Sequence, residues 1–240
     1  TTVLDGLADK FALAGVRIDD VVGGAVVTHS RDFNLAREAV IGSKLHPDTS
    51  GVTLIQACGT SLQAALMIAG KIATGETECG IACGSDTVSD APIVFKRRFA
   101  KRLLQLSQQK SFAGKARVFS GLSPSELAPD PPSVAEPRTG LSMGEHCELM
   151  AKTWQISREA QDQLAYESHV KAAAAYQEGY LDDLLVPCAG VFRDNNLRGD
   201  ISLDKMATLK PAFDRSGEGT LTAANSTPLT DGASAVLLAS

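Results

Sequence analysis

The first 90 residues alternate between short, largely apolar runs and longer stretches whose apolar residues recur at helical spacing. The apolar runs lie at 21–27, 52–57 and 79–83, and the helical stretches lie at 2–14, 33–42 and 61–73. Strands that are apolar throughout are typical of a sheet covered on both faces. In alternation with helices they predict a layered α/β domain. The 61–73 stretch is so rich in Ala, Leu, Met and Ile that we expect a helix buried on all sides.

A long middle section interrupts this pattern. The elements expected after residue 90 are an irregular excursion rich in Gln, Ser, Gly and Pro at 107–137, helices at 145–153 and 157–178, and a buried strand at 232–239. The final strand indicates that the end of the chain rejoins the first domain. We therefore expect a core domain made of 1–90 and 220–240, with 91–219 inserted as a helix-rich loop domain.

Composition excludes several classes of protein. The net charge of −5 argues against general nucleic-acid binding. No apolar run approaches the length of a membrane-spanning helix. The first residues lack the basic and apolar regions of a secretory signal, and because residue 1 is not Met we expect an N-terminal piece to be missing.

The cysteines do not form the pattern of a disulfide framework, because the chain has five of them at scattered positions. Reduced thiols in a cytosol-like compartment are the simpler interpretation. Cys79 and Cys83 form a C-x3-C pair with no second Cys or His pair at ligand spacing. We interpret them as small thiols on a strand rather than as metal ligands.

One segment carries an unusual charge. Residues 91–125 contain no Asp or Glu and hold eight cations: Lys96, Arg97, Arg98, Lys101, Arg102, Lys110, Lys115 and Arg117. We call residues 91–125 the basic segment. It suits an anionic lipid, a phosphate-bearing ligand or an acidic partner protein, and a merely solvated helix face is the alternative. Because Phe and Leu residues interleave with the cations, we favour contact with a membrane surface through 95–117.

The run QACGTS at residues 56–61 is the sharpest candidate for chemistry. An apolar strand is predicted to end at Cys58 and a helix to begin just after it. Free amides at a helix N-terminus stabilise negative charge on a nearby sulfur. Gly59 permits close approach of another group, and Thr60 or Ser61 can cap the helix. This arrangement suits a nucleophile that carries an acyl group, and a small buried residue without a reactive role is the alternative.

Five stretches in the same order resemble the thiolase family. Two of them resemble the region around the family's acyl-accepting cysteine: QACGTS at 56–61 and GIACGSD at 80–86. The other three lie further along the chain: GLSMG at 140–144 with Glu148, LKPAFD at 209–214 and TLTAANSTPLTDGA at 220–233. Within the family, the chain is most similar to one branch, the thiolase (beta) subunit of the fatty-acid oxidation trifunctional complex. This similarity lies in the NNLR run at 195–198, the TAANS run at 222–226 and the basic segment. A ketoacyl-synthase-like condensing enzyme fits the segments at 143–144 and 225–226 less well.

The resemblance implies both a fold and a reaction. The fold is one mixed α/β half of the thiolase architecture, with an α-rich loop domain inserted. The reaction is thiolytic cleavage of a 3-ketoacyl-CoA, or the reverse condensation, through an acyl group on Cys58. The backbone N–H of Cys58 would contribute to an oxyanion hole. Coenzyme A is a substrate in this reaction, and no metal or redox cofactor is implied.

The resemblance also implies residues that bind coenzyme A. By position, Arg198 would lie near its adenine or phosphate end, and Thr227 replaces a Ser that hydrogen-bonds the pantetheine. The residues implied to line the pantetheine tunnel are Met143, Phe213, Ala223 and Val134. Taken alone, Met143 and Phe213 are equally consistent with core packing, and Arg198 with a surface charge.

The sequence departs from the family at two catalytic groups. Thiolases also use a His and a second Cys, which lie in His-Glu-Ala-Phe, Gly-His-Pro and Cys-x-Gly-Gly-x-Gly segments that do not occur here. We therefore expect an N-terminal half plus loop domain without the first strand, inactive alone. The alternative is a non-catalytic acyl-CoA-binding or assembly module.

The expected partners and location follow from the same resemblance. They are acyl-CoA and CoA, further copies of the chain because a lone half exposes an apolar face, and a hydratase/dehydrogenase alpha subunit. The expected location is the cytoplasm in a bacterium or the mitochondrion in a eukaryote.

Overall fold

A four-stranded mixed sheet organises the protein, and the computed structural model describes all 240 residues. Its strands, in chain order, are β1 (Asp20–Gly24), β2 (Ser50–Thr53), β3 (Cys79–Asp86) and β6 (Gly232–Ala239). The spatial order is β2-β1-β3-β6. β1 runs parallel to β2 and β3, whereas β6 runs antiparallel to β3. The last strand therefore joins the sheet of the first 90 residues, as the sequence predicted.

Helices cover both faces of this sheet. They are α1 (Thr2–Lys10), α2 (Leu35–Ile41) and α3 (Thr60–Ala73). Side chains alternate between the faces of a strand, so Val21 packs among residues of α1 and α2, while its neighbour Val22 packs against Ala64 and Ile68 of α3. Every residue of β1 is buried. The predicted layered α/β architecture is confirmed.

Two elements expected to be buried are exposed. In α3 only Thr60, Ala64 and Ile68 are buried, and Leu66 on the opposite side is 58% exposed. Strand β6 contains no buried residue. Both predictions were wrong for one physical reason: β6 is an edge strand that pairs only with β3, and no other part of the chain covers the outer face of α3. Apolar composition alone does not say what covers a surface.

The section between residues 91 and 219 holds six helices and two very short strands. Its elements are β4 (Val94–Phe95), α4 (Arg97–Gln108), α5 (Phe112–Val118), α6 (Pro124–Leu127), β5 (Pro129–Asp130), α7 (Met143–Thr153), α8 (Arg158–Gln177) and α9 (Leu203–Ala207). Helices α7 and α8 confirm two predictions, and each begins after a serine that caps it: Ser142 accepts from the Glu145 N–H, and Ser157 from the Ala160 N–H. The excursion predicted at 107–137 is less irregular than expected, since it holds α5 and α6.

The basic segment and the residues just after it form a small subassembly around one guanidinium. β4 pairs with β5, and α4 packs against α5 and α6. Arg102 of α4 binds the carboxylate of Glu126 at 3.0 Å and donates to the carbonyl of Val118 at 2.6 Å. Glu126 is the one buried residue between 91 and 130. A charged group thus takes the place of an apolar core here.

None of the helices combines the length and the apolar character that crossing a bilayer requires.

The two sides of α3 predict different energetic consequences of truncation. Ile68 is 1% exposed and packs against Val22 and Ala82. We expect Ile68→Ala to lower the free energy of unfolding by about 2–5 kcal/mol, because it leaves a cavity. Leu66→Ala is the matched control on the exposed side and should cost roughly 0.5 kcal/mol. Urea unfolding followed by circular dichroism measures both, and equal losses would contradict the described packing.

Candidate active site

Cys58 lies in a turn before α3, with its side chain exposed. Strand β2 ends at Thr53, not at Cys58 as the sequence predicted, and α3 begins at Thr60 with Gly59 as the N-cap. Cys58 is exposed, so the interpretation as a small buried residue was wrong. The sulfur therefore stands at the predicted strand-to-helix corner, one residue before the N-cap.

The turn is held by a threonine that is nearly buried. The hydroxyl of Thr60 accepts from the Gln56 N–H at 2.9 Å and donates to the Ala57 carbonyl at 2.8 Å. The Thr60 N–H donates to the same carbonyl at 3.2 Å. Ala57 has a φ of 45°, which is uncommon for a residue with a side chain. No side chain caps α3, contrary to expectation, and Thr60 instead locks the residues before the nucleophile candidate.

The backbone amide of Cys58 has no partner within the chain, although the next amide has one. The Gly59 N–H donates to the Gln56 carbonyl at 3.0 Å, whereas the Cys58 N–H donates to no protein group. An amide that is free and fixed next to a nucleophile is suited to an oxyanion that forms there.

An open cavity of about 360 Å³ adjoins the sulfur. Its walls come from the ends of β1 and β3, the start of α3, and the chain at the start of β6. Close approach of these elements requires glycine at two places. A Cβ at Gly84 would collide with the Ser61 hydroxyl, and a Cβ at Gly24 would collide with the Leu54 carbonyl oxygen. The parallel strands thus end where the helix N-terminus can sit against them.

Asp86 lines the cavity, although it was predicted only as part of the GIACGSD motif and without a role of its own. Its carboxylate accepts from the backbone N–H groups of Val26 and Val27 at 2.8 and 2.7 Å. Apart from Cys58 it is the only ionisable residue that lines the cavity, which contains no histidine and no second cysteine. No sequence pattern indicates this contact, because its partners are main-chain amides about 60 residues away.

The six residues predicted to bind coenzyme A do not line this cavity. The Phe213 ring occupies the space beside Gly144, the residue that follows Met143, so that a Cβ at Gly144 would collide with it. Met143, Val134, Ala223 and Thr227 are exposed. Arg198 is also exposed, and its backbone N–H donates to Nδ1 of His169 on α8. The interpretation of Arg198 as a surface charge therefore stays open.

A buried carboxylate joins α7 to the segment that follows residue 219. Glu148 accepts from the N–H and hydroxyl of Thr220 at 2.7 and 2.8 Å, and from the Leu221 N–H at 3.0 Å. Glu148 was predicted as part of a motif, but its hydrogen bonds to Thr220 and Leu221 were not predicted. The same helix holds the preceding segment, because the Lys152 ammonium pairs with Asp214.

The pKa values of Asp214 and Cys83 are both shifted. The hydrogen bond from Lys152, together with the Ser216 N–H at 2.8 Å, lowers the pKa of Asp214 to about 2. Burial raises the pKa of the Cys83 thiol on β3, so Cys83 stays protonated and unreactive near neutral pH.

The Asp214 carboxylate predicts a pH dependence of stability. A folded-state pKa of about 2, below the ordinary 3.8, means that the ionised pair stabilises the fold above about pH 4 and that this contribution is lost as pH falls towards 2. In urea unfolding, the difference between the wild type and Asp214→Asn should be constant near neutral pH and shrink between about pH 4 and 2. The exposed Asp200→Asn control should show a flat difference. A flat difference for both variants would contradict the assignment.

Comparison with known families gives a match over the whole chain. The family described as "Thiolase, N-terminal domain" matches residues 1–240. A 3-ketoacyl-CoA thiolase from Shewanella loihica is 44% identical over 244 residues, which cover 99% of the chain and 56% of that protein. A 3-ketoacyl-CoA thiolase from Alteromonas mediterranea is 44% identical, over 92% of the chain and 52% of that protein. The chain thus spans little more than half the length of these relatives.

Solved structures give the same result for the fold. The Acat5 thiolase from Ascaris suum, in complex with coenzyme A, has a TM-score of 0.78 at 26% identity and covers 99% of the chain and 58% of its own. The acetyl-CoA acetyltransferase from Bacillus anthracis has a TM-score of 0.77 at 26% identity, over 98% and 57% respectively. The predicted thiolase half-fold is confirmed.

Proposed function

Because the chain belongs to the thiolase family, we propose that it carries the acyl-accepting site of a thiolytic acyltransferase, with Cys58 as the nucleophile. The observation that carries this proposal is the fixed turn, which presents an exposed sulfur and a free amide side by side at the N-terminus of α3. The proposed substrate is a 3-ketoacyl-CoA, as the names of the relatives suggest.

The proposed reaction has two steps. The Cys58 sulfur attacks the keto carbon of the substrate, and the backbone N–H of Cys58 stabilises the negative oxygen that forms. The bond between that carbon and the α-carbon then breaks, the α-carbon takes up a proton, and acetyl-CoA leaves. The thiol of a second CoA finally attacks the acyl-cysteine and releases a shortened acyl-CoA. Coenzyme A is a substrate throughout, and the proposal includes no metal or redox cofactor.

A second candidate function rests on what the cavity lacks. The attack of Cys58 needs a base that takes the proton of the thiol. The cleavage of the carbon–carbon bond needs an acid that gives a proton to the α-carbon. The only other ionisable group in the cavity is Asp86, whose carboxylate is held by two backbone amides. Groups from outside the cavity must supply both functions in a catalyst. A module that binds acyl-CoA without turnover needs neither, and is the alternative.

Acylation separates the two candidates. We expect the chain, incubated with acetyl-CoA and a complementary thiolase half that supplies the base, to gain one acetyl group, mapped to Cys58 by peptide mass spectrometry, and Cys58→Ser to gain none. Cys147→Ser is the matched control at another exposed cysteine and should retain the adduct. An adduct that survives Cys58→Ser would refute the nucleophile, and CoA binding without any adduct would favour the binding module.

We further propose that coenzyme A lies along Met143, Phe213, Ala223, Val134, Thr227 and Arg198. Contact between the Phe213 ring and Gly144 supports this, because it joins two of the motifs that carry the family resemblance. A related structure that contains coenzyme A supports the class of ligand.

Arg198 is proposed to bind the phosphate end of the nucleotide. Arg198→Ala should weaken CoA binding by about 1–3 kcal/mol, the value of a hydrogen bond to a charged group. Titration calorimetry measures the dissociation constants, with the exposed Arg17→Ala as a control that should leave them unchanged. Unchanged affinity in Arg198→Ala would remove this residue from the site.

The basic segment is proposed to contact an anionic membrane surface. Seven of its eight cations form no ion pair: Lys96, Arg97, Arg98, Lys101, Lys110, Lys115 and Arg117. Exposed aromatic rings accompany them, and Phe112 is 88% exposed. Unpaired cations beside exposed rings suit the interface of an anionic bilayer.

Loss of three cations tests this contact. Replacing Arg97, Arg98 and Lys101 by Gln should weaken binding to phosphatidylglycerol vesicles about 100-fold, because each basic residue contributes about 1 kcal/mol. Cosedimentation measures the binding, and replacing Arg17, Lys171 and Lys205 by Gln is the matched control. Equal binding to neutral phosphatidylcholine vesicles, or none to either kind, would refute the membrane and leave an acidic protein as the partner to test.

The remaining proposals concern assembly and location. The exposed apolar side of α3, with Leu62, Leu66 and Met67, supports association with a further copy or with a complementary thiolase half. A hydratase/dehydrogenase alpha subunit is proposed as a partner from the branch that the chain resembles. The cytoplasm of a bacterium or the mitochondrion of a eukaryote is the proposed location.

A further inference from the structure

Residues 220–225 form a turn that is anchored from inside the protein. Leu221 and Thr222 are buried, whereas the next residue, Ala223, is exposed. The Thr222 N–H donates to Oδ1 of Asn225 at 2.7 Å, which closes the turn. The turn therefore presents one exposed residue, Ala223, on a backbone whose neighbours are held.

Two buried carboxylates fix this turn to two helices. Glu148 of α7 is 3% exposed and holds Thr220 and Leu221 by the three hydrogen bonds described above. Asp162 of α8 is 5% exposed and accepts from Nδ2 of Asn225 at 2.8 Å. Each end of the turn thus has its own anchor.

Arg158 extends the same network to the segment before Phe213. Its Nε binds Asp162 at 2.7 Å, and its Nη2 donates to the Met206 carbonyl at 2.5 Å. The Ala212 N–H in turn donates to the Leu221 carbonyl at 2.8 Å. The backbones that carry Phe213 and Ala223 are consequently held in one arrangement by a single network of buried charges.

Burying carboxylates is an expensive way to obtain stability, because desolvation offsets most of the attraction, but it fixes geometry. We infer that Asp162 and Glu148 are positioning residues that shape the wall for the pantetheine arm of coenzyme A through the 220–225 turn. The inference rests on the proposed function, since that function places Ala223 and Phe213 beside the pantetheine.

The experiment compares coenzyme A with its nucleotide half, 3′-phosphoadenosine diphosphate, which lacks the pantetheine. In Asp162→Asn the amide group must turn its NH₂ towards either Arg158 or Asn225, and both are donors, so one hydrogen bond is lost. Calorimetry should show about tenfold weaker binding of coenzyme A and unchanged binding of the nucleotide half. The exposed Glu159→Gln on the same helix should change neither.

A double exchange provides the rescue. In Asp162→Asn with Asn225→Asp, the new amide accepts from Arg158 and donates to the new carboxylate, which still accepts from the Thr222 N–H. Affinity for coenzyme A should return towards the wild-type value. Glu148→Gln is a second, independent variant and should reproduce the selective loss.

The outcomes separate the inference from the function. Equal weakening for both ligands, or unchanged affinity for coenzyme A in folded Asp162→Asn and Glu148→Gln, would overturn the inference and leave the proposed function standing. A wild type that binds coenzyme A no better than the nucleotide half would overturn the proposed pantetheine site itself, and the inference with it.

Discussion

The residue-by-residue pairing of β1 with β3 is the constraint on which the rest of the structure depends. Asp20 pairs with Gly80 and Gly24 pairs with Gly84, so β1 runs alongside the first part of β3, which continues to Asp86. Their valine, isoleucine and alanine side chains supply the centre of both apolar clusters. At one end Lys71 of α3 binds the nearly buried Asp20 at 2.6 Å. At the other end Thr60 locks the turn, so the position of Cys58 follows from how α3 sits on this strand pair.

Sequence patterns predicted the elements whose causes are local. Helix α8 was predicted because Ser157 begins an Ala-rich stretch, and the Ser157 hydroxyl does cap the helix. The end of β2 was misplaced, since Leu54 and Ile55 continue the apolar run while Thr60, further along the chain, holds Gln56 and Ala57 in the turn. The exposure of α3 and β6 was missed, because composition records that a surface is apolar and not whether the same chain covers it.

The candidate site divides in the same way. Cys58 was predicted because a cysteine between a strand and a helix has a chemical meaning of its own. Asp86 and Asp162 were not singled out, since each binds groups far away along the chain. Neither an aspartate nor the residues next to it in the sequence indicate hydrogen-bond partners that lie far away along the chain. The family resemblance located the segments around Phe213 and Ala223, but only the structure shows that buried charges connect them.

The subassembly around Arg102 has a consequence for how the protein unfolds. Its polar centre, the Arg102–Glu126 pair, lacks the apolar surface that makes unfolding cooperative, and no residue between 91 and 130 other than Glu126 is buried. Amide protons in α4 and α5 should therefore exchange with solvent through local opening, whereas those of β1 should exchange only through global unfolding. Heating should then melt the chain in two stages, and the calorimetric enthalpy should exceed the van't Hoff enthalpy of the first stage.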